Sequence, residues 1–216
     1  MATERREVLI SAPKMRTVLL RIVGTSPYVQ ARFSQKAMLA MTDKMRAGSA
    51  AKKGKARAPR DFDDDYKQAQ HVTAEGWRGI PASAFRNAMI SACRLVGFKM
   101  TLGKLSVFVE ADGFDAVDGV PLVKIEGEPE KQEMHVRNAT GVVDIRVRPM
   151  WRKWAANVRV RYDEDQFSFQ DIANLMARVG MQVGIGEGRP DSKSSAGLGW
   201  GLFELSNEGM EKELAA

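Results

Sequence analysis

Hydrophobic and polar positions follow two rhythms along this 216-residue chain, and the switches between them mark its elements. Residues 15–23 carry Val18, Leu19, Leu20, Ile22 and Val23 in an apolar, β-branched run that closes on Gly24-Thr25-Ser26-Pro27, which predicts a strand ending in a turn. Ser34 then stands where a helix cap is needed, and Ala37, Met38, Met41 and Met45 recur at helical spacing up to Gly48. Gly76-Trp77-Arg78-Gly79-Ile80 reads as extended, and Pro81 opens the clearest helix of the chain. Its apolar stripe is Phe85, Ala88, Met89, Ala92, Cys93 and Val96, its stop is Gly97, and Arg86, Asn87 and Arg94 lie off the stripe. Strands are predicted at 105–110, 120–125 and 142–148.

The second half repeats this grammar. Val158, Val160 and Tyr162 alternate with Arg159 and Arg161, which gives a strand with one buried face and one cationic face. Ser168, with Asp171 three positions later, starts a helix through Ile172, Leu175, Met176 and Val179 that ends near Gly180. Residues 182–185, a glycine-rich loop and a last strand at 200–205 close the pattern. Helices interrupting antiparallel-prone strands predict an α+β fold with one sheet covered on one face.

Composition narrows the class. With 44% hydrophobic and 28% charged residues, the chain fits a single globular domain over 1–216 and excludes disordered or collagen-like architectures. No apolar run approaches the roughly 20 residues of a membrane span, and the charged start (Glu4, Arg5, Arg6, Glu7) lacks a signal-peptide block, so a cytoplasmic protein without a membrane partner is expected. The lone cysteine, Cys93, has no internal disulfide partner and falls within the apolar stripe.

The net charge of +6 is local. Lys44, Arg46, Lys52, Lys53, Lys55, Arg57 and Arg60 follow one another with no acid between them, which leaves the rest of the chain near neutrality. This Ala-, Gly- and Ser-containing stretch reads as a mobile loop, and with the acidic run Asp61, Asp63, Asp64 and Asp65 behind it forms an insertion over 46–75. Unstructured connections of this length in compact domains tend to carry function, so its cations are candidate phosphate contacts; a solvated surface loop is the competing account.

Catalysis finds little support in spacing. His71 and His135 are far apart and neither has a metal-binding interval, and there is no nucleophile elbow and no phosphate-binding P-loop. A non-enzymatic protein with no cofactor and no metal is expected. The acidic run has oxygen ligands suited to magnesium or calcium but lacks the spacing and glycine of a calcium loop, so helix capping or charge balance is its expected role. Two other features suit single strands: the glycine-rich segment 184–201 with Arg189 and Lys193, and the Trp151-Arg152-Lys153-Trp154 group before Arg159 and Arg161. Aromatic faces stack on unpaired bases, although burial in a core or an interface explains a tryptophan equally.

These landmarks resemble a family. Gly79-Ile80-Pro81-Ala82-Ser83-Ala84-Phe85-Arg86-Asn87-Ala88 is similar to the "I-P-G-S-S-L-K-G-x-L-R" helix start of RAMP-superfamily proteins, the RRM-like backbone subunits of CRISPR effector complexes. The segment 184–205 resembles that superfamily's glycine-rich loop and following strand. Gly24-Thr25-Ser26-Pro27 with Arg32-Phe33-Ser34-Gln35-Lys36-Ala37 resembles uncharacterised phage and prophage proteins of the same layout. Alanine follows Pro81 where the family has glycine, and Glu187 places an acid inside the loop.

The resemblance implies a modified ferredoxin-like core in which the basic insertion lies across nucleic acid like a thumb, in copies stacked head to tail, in a bacterial or phage-infected cell. The implied function is binding of single-stranded RNA or DNA, with RNA favoured as guide or viral strand, alone or with other effector-complex subunits. Its binding residues are expected to be Lys44, Arg46, Lys52, Lys53, Lys55, Arg57, Arg86, Trp151, Arg159, Arg161, Arg189 and Lys193. The alternatives are a phage assembly protein that meets an acidic protein partner and a metal-dependent nuclease built on Asp61, Asp63, Asp64 and Asp65.

Overall fold

The computed structural model describes residues 10–48, 59–137, 143–192 and 197–206 and the two-residue strand at 213–214. In β1 (Met15–Gly24), Val18, Leu20 and Ile22 are buried and their neighbours point to the opposite face, as the period of two requires. There follow β2 (Tyr28–Val29), α1 (Gln35–Ala47), α2 (Phe62–Gln68), β3 (Gly79–Pro81), α3 (Ala82–Ala92), α4 (Met100–Ser106) and β4 (Val107–Glu110). Next come β5 (Gly113–Phe114), β6 (Pro121–Glu126), β7 (Glu130–Arg137), β8 (Val143–Trp151) and β9 (Ala155–Asp163). The chain continues with α5 (Phe169–Arg178), β10 (Phe203–Leu205) and β11 (Glu213–Leu214).

The fold is α+β with antiparallel strands. The main sheet runs β10-β1-β9-β6-β3, with β4 on β9, β5 on β6 and β11 on β1. Packed on one face are α3, through Phe85, Met89 and Ala92, and α5, through Ile172, Leu175 and Met176; they meet Leu20, Ile22, Val158 and Val160 in one core. The α5 start is the expected capping box: Asp171 N–H donates to Ser168 Oγ at 3.2 Å and Ser168 N–H donates back to Asp171 at 2.9 Å.

The expectation of a single sheet is corrected by a second one, β2-β8-β7. Although β8 runs almost directly into β9, the two do not pair. Trp151 and Trp154, at either end of the link, both bury their rings against Tyr28, with centroids 5.5 and 5.6 Å away, and this turns the chain from one sheet into the other. Strand β7 went unpredicted because Glu130-Lys131-Gln132-Glu133 has no apolar alternation; its order comes from pairing along β8.

Other boundaries move for local reasons. The strand expected at 105–110 begins at Val107, since the preceding residues close α4 and leave Leu105 exposed. The stripe of α3 ends at Cys93 because the chain tightens into a 3-10 turn before Gly97 and swings Val96 to the surface. The last strand starts at Phe203, leaving Trp200 in the loop. Helix α1 forms where expected, capped by Ser34 Oγ, but buries no residue at all: Met38, Met41 and Met45 are 47%, 50% and 75% exposed. Within the insertion, Lys44 and Arg46 belong to the last turn of α1 and residues 62–68 are helical, so the stretch is not one continuous loop. Residues 49–58 lie outside the described residues.

Candidate functional site

The predicted binding residues that are described fall at several places: the end of α1, the Phe108 ring that Arg86 and Arg161 share, and the loop at Arg189. Lys44 and Arg46 are exposed at the end of α1, whereas Lys52, Lys53, Lys55, Arg57 and Lys193 lie outside the described residues. Trp151 is wholly buried, so it is a core residue and not a stacking platform; its ring fills the junction between the sheets. Arg86 is likewise structural: it donates to Val107 O at 2.9 Å and to Lys104 O, tying α3 to β4, and stacks on Phe108. On the opposite face of the main sheet from the helices, Arg159 is held by Asp112 at 2.7 Å and by Glu110 at 3.7 Å, while Arg161 lies over Phe108. On that face acids hold Arg159, and an aromatic ring lies under Arg161.

Of the described candidates, Arg189 lines a concave site. A cleft of about 750 Å³ opens between α3, β8 and the loop that follows α5. Its cations are Arg146, Arg148 and Arg189, and the half-buried Trp200 adds an aromatic side chain to its lining. Arg146 and Arg148 are on alternate positions of β8, which points both guanidinium groups to one face. Neither was expected as a site residue, although this Arg-x-Arg alternation is the same signal that singled out Arg159 and Arg161. A larger groove, about 890 Å³, lies between α5 and the turn after α3; Val96, Phe98, Phe167, Leu175 and Met181 share its lining with Gln166, Asp171, Asn174, Arg178 and Gln182, so it offers one arginine where the smaller cleft offers three.

The described residues of the glycine loop, 184–192 and 197–201, form a packed wall of this cleft. Its backbone is fastened by Glu187 N–H to Val29 O at 2.9 Å, Gly201 N–H to Pro27 O at 2.8 Å and Leu198 N–H to Gly188 O at 2.7 Å. At Gly186, φ is +79° and a side chain would strike the Tyr28 ring and Val29 O; at Gly201, φ is +70° and it would strike Ile185 O. Ser91 and Arg94 bind the Asp191 carboxylate and so pin the loop to α3. The hydrogen bond from Ser91, then Arg94, holds that carboxyl below its usual range.

His71, which lines the cleft, belongs to a polar cluster that sequence spacing does not announce. His71 Nδ1 lies 2.8 Å from Asp115 Oδ2, and both residues are buried. Asp115 Oδ1 accepts from Val117 N–H at 2.8 Å, Asp118 N–H at 3.2 Å and the buried Arg32 at 3.3 Å. Burial pushes the Asp115 carboxyl up, but the Val117 N–H, His71, the Asp118 N–H and Arg32 together outweigh it and hold it below the ordinary carboxylate range.

Among the described residues, His71, Asp115 and Asp118 are the group whose ligand atoms converge as a metal site would, within 4.8 Å. Arg32 also contacts Asp118 at 3.2 Å, so its guanidinium supplies the positive charge there. The acidic run behaves as capping and charge balance: Asp61 caps α2 by accepting from the N–H groups of Asp63 and Asp64, Asp63 pairs with Lys131, Asp65 with Arg60, and Asp64 accepts from Gln68.

No protein-family model matches the chain, and no curated protein matches it in sequence. Among solved structures it is similar to a chain in the "Cryo-EM structure of the Type III-B Cmr-beta bound to cognate target RNA", at 12% identity and a TM-score of 0.45. The likeness covers 89% of this chain and 59% of that one, so this chain spans about three fifths of the length of the structure it matches.

Proposed function

We propose that this protein binds single-stranded nucleic acid, RNA in preference to DNA, in the cleft between α3, β8 and the glycine loop. The observation that carries the reading is the convergence of Arg146, Arg148 and Arg189 with the Trp200 face in one concave site: guanidinium groups track phosphates and an indole stacks on an unpaired base. The resemblance of 79–88 and 184–205 to RAMP-superfamily backbone subunits points the same way and favours RNA. The strand order also suits it. Taking β1, α3, β4, β9, α5 and β10 in turn gives two interleaved strand-helix-strand units in one antiparallel sheet, the arrangement of a ferredoxin-like core.

In this reading the protein is a backbone-like subunit, inside a CRISPR effector complex or as a free-standing phage relative, and copies stack head to tail along the strand. The exposed methionine stripe of α1 supports contact between copies. A salt titration of binding to a labelled RNA oligonucleotide tests the proposal. Phosphate contacts make log K fall steeply with log salt, with a slope of roughly −0.7 per phosphate neutralised on a single strand. A flat dependence, or no binding, rules the cleft out.

A further inference from the structure

We propose that the corner where α4 meets β4 is a docking surface for another protein, one that brings carboxylates to Arg86, Lys104 and Arg161 and an apolar side chain to Leu102 and Leu105. The inference is independent of the cleft and of what the cleft binds.

The corner is cationic and has no acid of its own. From Gly76 to Val109 the sequence contains neither aspartate nor glutamate, so α3, the turn behind it and α4 bring none. Among the described residues, Arg86, Lys104 and Arg161 make no ion pair; the two arginines meet carbonyl groups and an aromatic ring instead.

The contrast is clearest along one strand. Arg159 and Arg161 are two positions apart on β9 and share a face, yet Arg159 is met by Asp112 and Glu110 and Arg161 by no acid. Opposite Arg161 in the antiparallel register stands Phe108. Its ring receives two guanidinium groups, that of Arg86 at 5.2 Å and that of Arg161 at 5.5 Å from the centroid. Two like charges beside one ring repel, and Glu110, the acid of β4, is turned to Arg159 and Thr17. A carboxylate supplied from outside relieves that repulsion.

The Arg86 guanidinium is set in place beforehand. Its Nε–H donates to Val107 O at 2.9 Å and its Nη2 to Lys104 O, which fixes the plane of the group and leaves further N–H donors for a ligand. A cation held in this way loses little freedom when a carboxylate meets it.

Leu102 and Leu105 supply the apolar half. They are three positions apart on α4, hence on one face, and are 40% and 73% exposed. Helix α4 runs directly into β4, so the leucines, Lys104 and the Phe108 ring follow one another along the chain. Exposed aliphatic side chains rimmed by cations, with arginines at an aromatic ring, are the makings of a protein interface. RNA fits the corner less well, because the Phe108 ring is engaged by arginines instead of being open to a base, and leucine offers a phosphate nothing.

The experiment titrates the full, isotope-labelled chain with a short peptide of glutamate and leucine, with the same peptide carrying glutamine for glutamate, and with a third carrying serine for leucine. Amide shifts in NMR spectra locate binding, and fluorescence anisotropy gives the affinities. The expected result is binding of the first peptide, with shifts at residues 102–108 and Arg161 and none at Arg146 and Arg148 of the cleft. Each control peptide should bind about tenfold more weakly, since each lacks one half of the match. Lys104→Gln with Arg161→Gln, both at exposed positions, should weaken the first peptide about tenfold while circular dichroism reports an unchanged fold. Leu105→Ser should weaken it about threefold or more. Single-stranded RNA should leave the resonances of the corner in place and should bind the Lys104 and Arg161 double variant within about threefold of wild type.

No binding of the first peptide, equal binding of its glutamine counterpart, or shifts gathered at the cleft overturns the proposal. RNA that shifts the corner and is weakened about tenfold by the double substitution overturns it too, and assigns the corner to nucleic acid. A chain that binds the peptide at the corner but no RNA anywhere removes the reading of the cleft and leaves this one standing.

Discussion

Glu187 of the glycine loop accepts from Arg148 Nε at 2.6 Å and lies 3.7 Å from Arg146, so a single acid restrains two of the three cleft arginines. All three side chains are partly buried, and the contact ties the glycine loop to β8. An acid in this position works against phosphate. Glu187→Gln removes one negative charge from the cleft and should tighten RNA binding by about three- to tenfold at moderate salt, with a steeper salt slope. Fluorescence anisotropy of a labelled oligonucleotide across a salt series reads both quantities. Weaker binding by the variant would show that the arginines need Glu187 to hold them in place.

The cleft and the outer face of the main sheet make opposite predictions for two arginines of similar sequence context. Arg148 lines the cleft, whereas Arg159 is locked to Asp112 and Glu110 on the sheet. Arg148→Ala should weaken binding of all RNA sequences alike and reduce the magnitude of the salt slope by about 0.7, the loss of one phosphate contact. Arg159→Ala should leave the binding isotherm unchanged. The reverse pattern would move the site to the sheet.

What was legible in the sequence is what neighbours in sequence decide. The alternation of Val158, Val160 and Tyr162 with Arg159 and Arg161, the Ser168 and Asp171 capping box and the Pro81 helix start all depend on residues within a turn or two, and all appear as expected. Long-range partners decided the rest. Trp151 looks the same in sequence whether it stacks on a base or on Tyr28, and Tyr28 settles it from a distant strand. His71 has no informative spacing because Asp115 and Gln30 come to it through the fold. The methionines of α1 have core periodicity without a core, since periodicity reports a helix and not what covers it.

The reassignment of Trp151 has a direct consequence for stability. Its side chain is entirely buried and packs at the point where β8 leaves one sheet and β9 enters the other. Trp151→Ala leaves a large cavity there and should destabilise the fold by about 3–5 kcal/mol, with Trp151→Phe costing less. Urea unfolding followed by circular dichroism measures the difference. A surface stacking residue would show almost no loss of stability and a loss of RNA affinity in the folded protein.

Acid should weaken the contacts that Asp115 and Asp191 make. Asp115 and Asp191 both titrate below the ordinary carboxylate range in the folded chain, Asp115 because its hydrogen bonds and Arg32 outweigh burial, Asp191 because of Ser91 and Arg94. Unfolded aspartate titrates near 3.9, so below that point the unfolded chain binds more protons than the folded one. The stability these contacts supply is complete above about pH 4 and is lost as pH falls through the lower, folded values. The urea midpoint should therefore drop below pH 4, and Asp191→Asn should be less stable at neutral pH with a shallower acid decline. An identical acid profile in wild type and variant would remove Asp191 from the account.

Self-association should run through α1. The helix has thirteen residues and buries none of them, close to the roughly 12–15 residues at which an isolated helix is marginal in water, so a neighbour has to cover its Met38, Met41 and Met45 stripe. The same chain has a groove of about 890 Å³ in which Val96, Phe98, Phe167 and Met181 offer apolar surface beside Gln166, Asn174 and Arg178. A methionine stripe adapts well to such a surface, and a helix of one copy seated in the groove of the next gives the head-to-tail repeat that a strand-binding subunit needs. Met41→Glu with Met45→Glu should weaken association at least tenfold in analytical ultracentrifugation without lowering the melting temperature, and Met181→Glu with Val96→Gln, both at exposed positions of the groove, should do the same from the groove side. Because the contact is between unlike surfaces, mixing the two variants should restore a dimer, in which each contributes its intact half. A wild-type chain that stays monomeric at every concentration, or a mixture that fails to pair, would separate α1 from assembly and leave its stripe for a different partner.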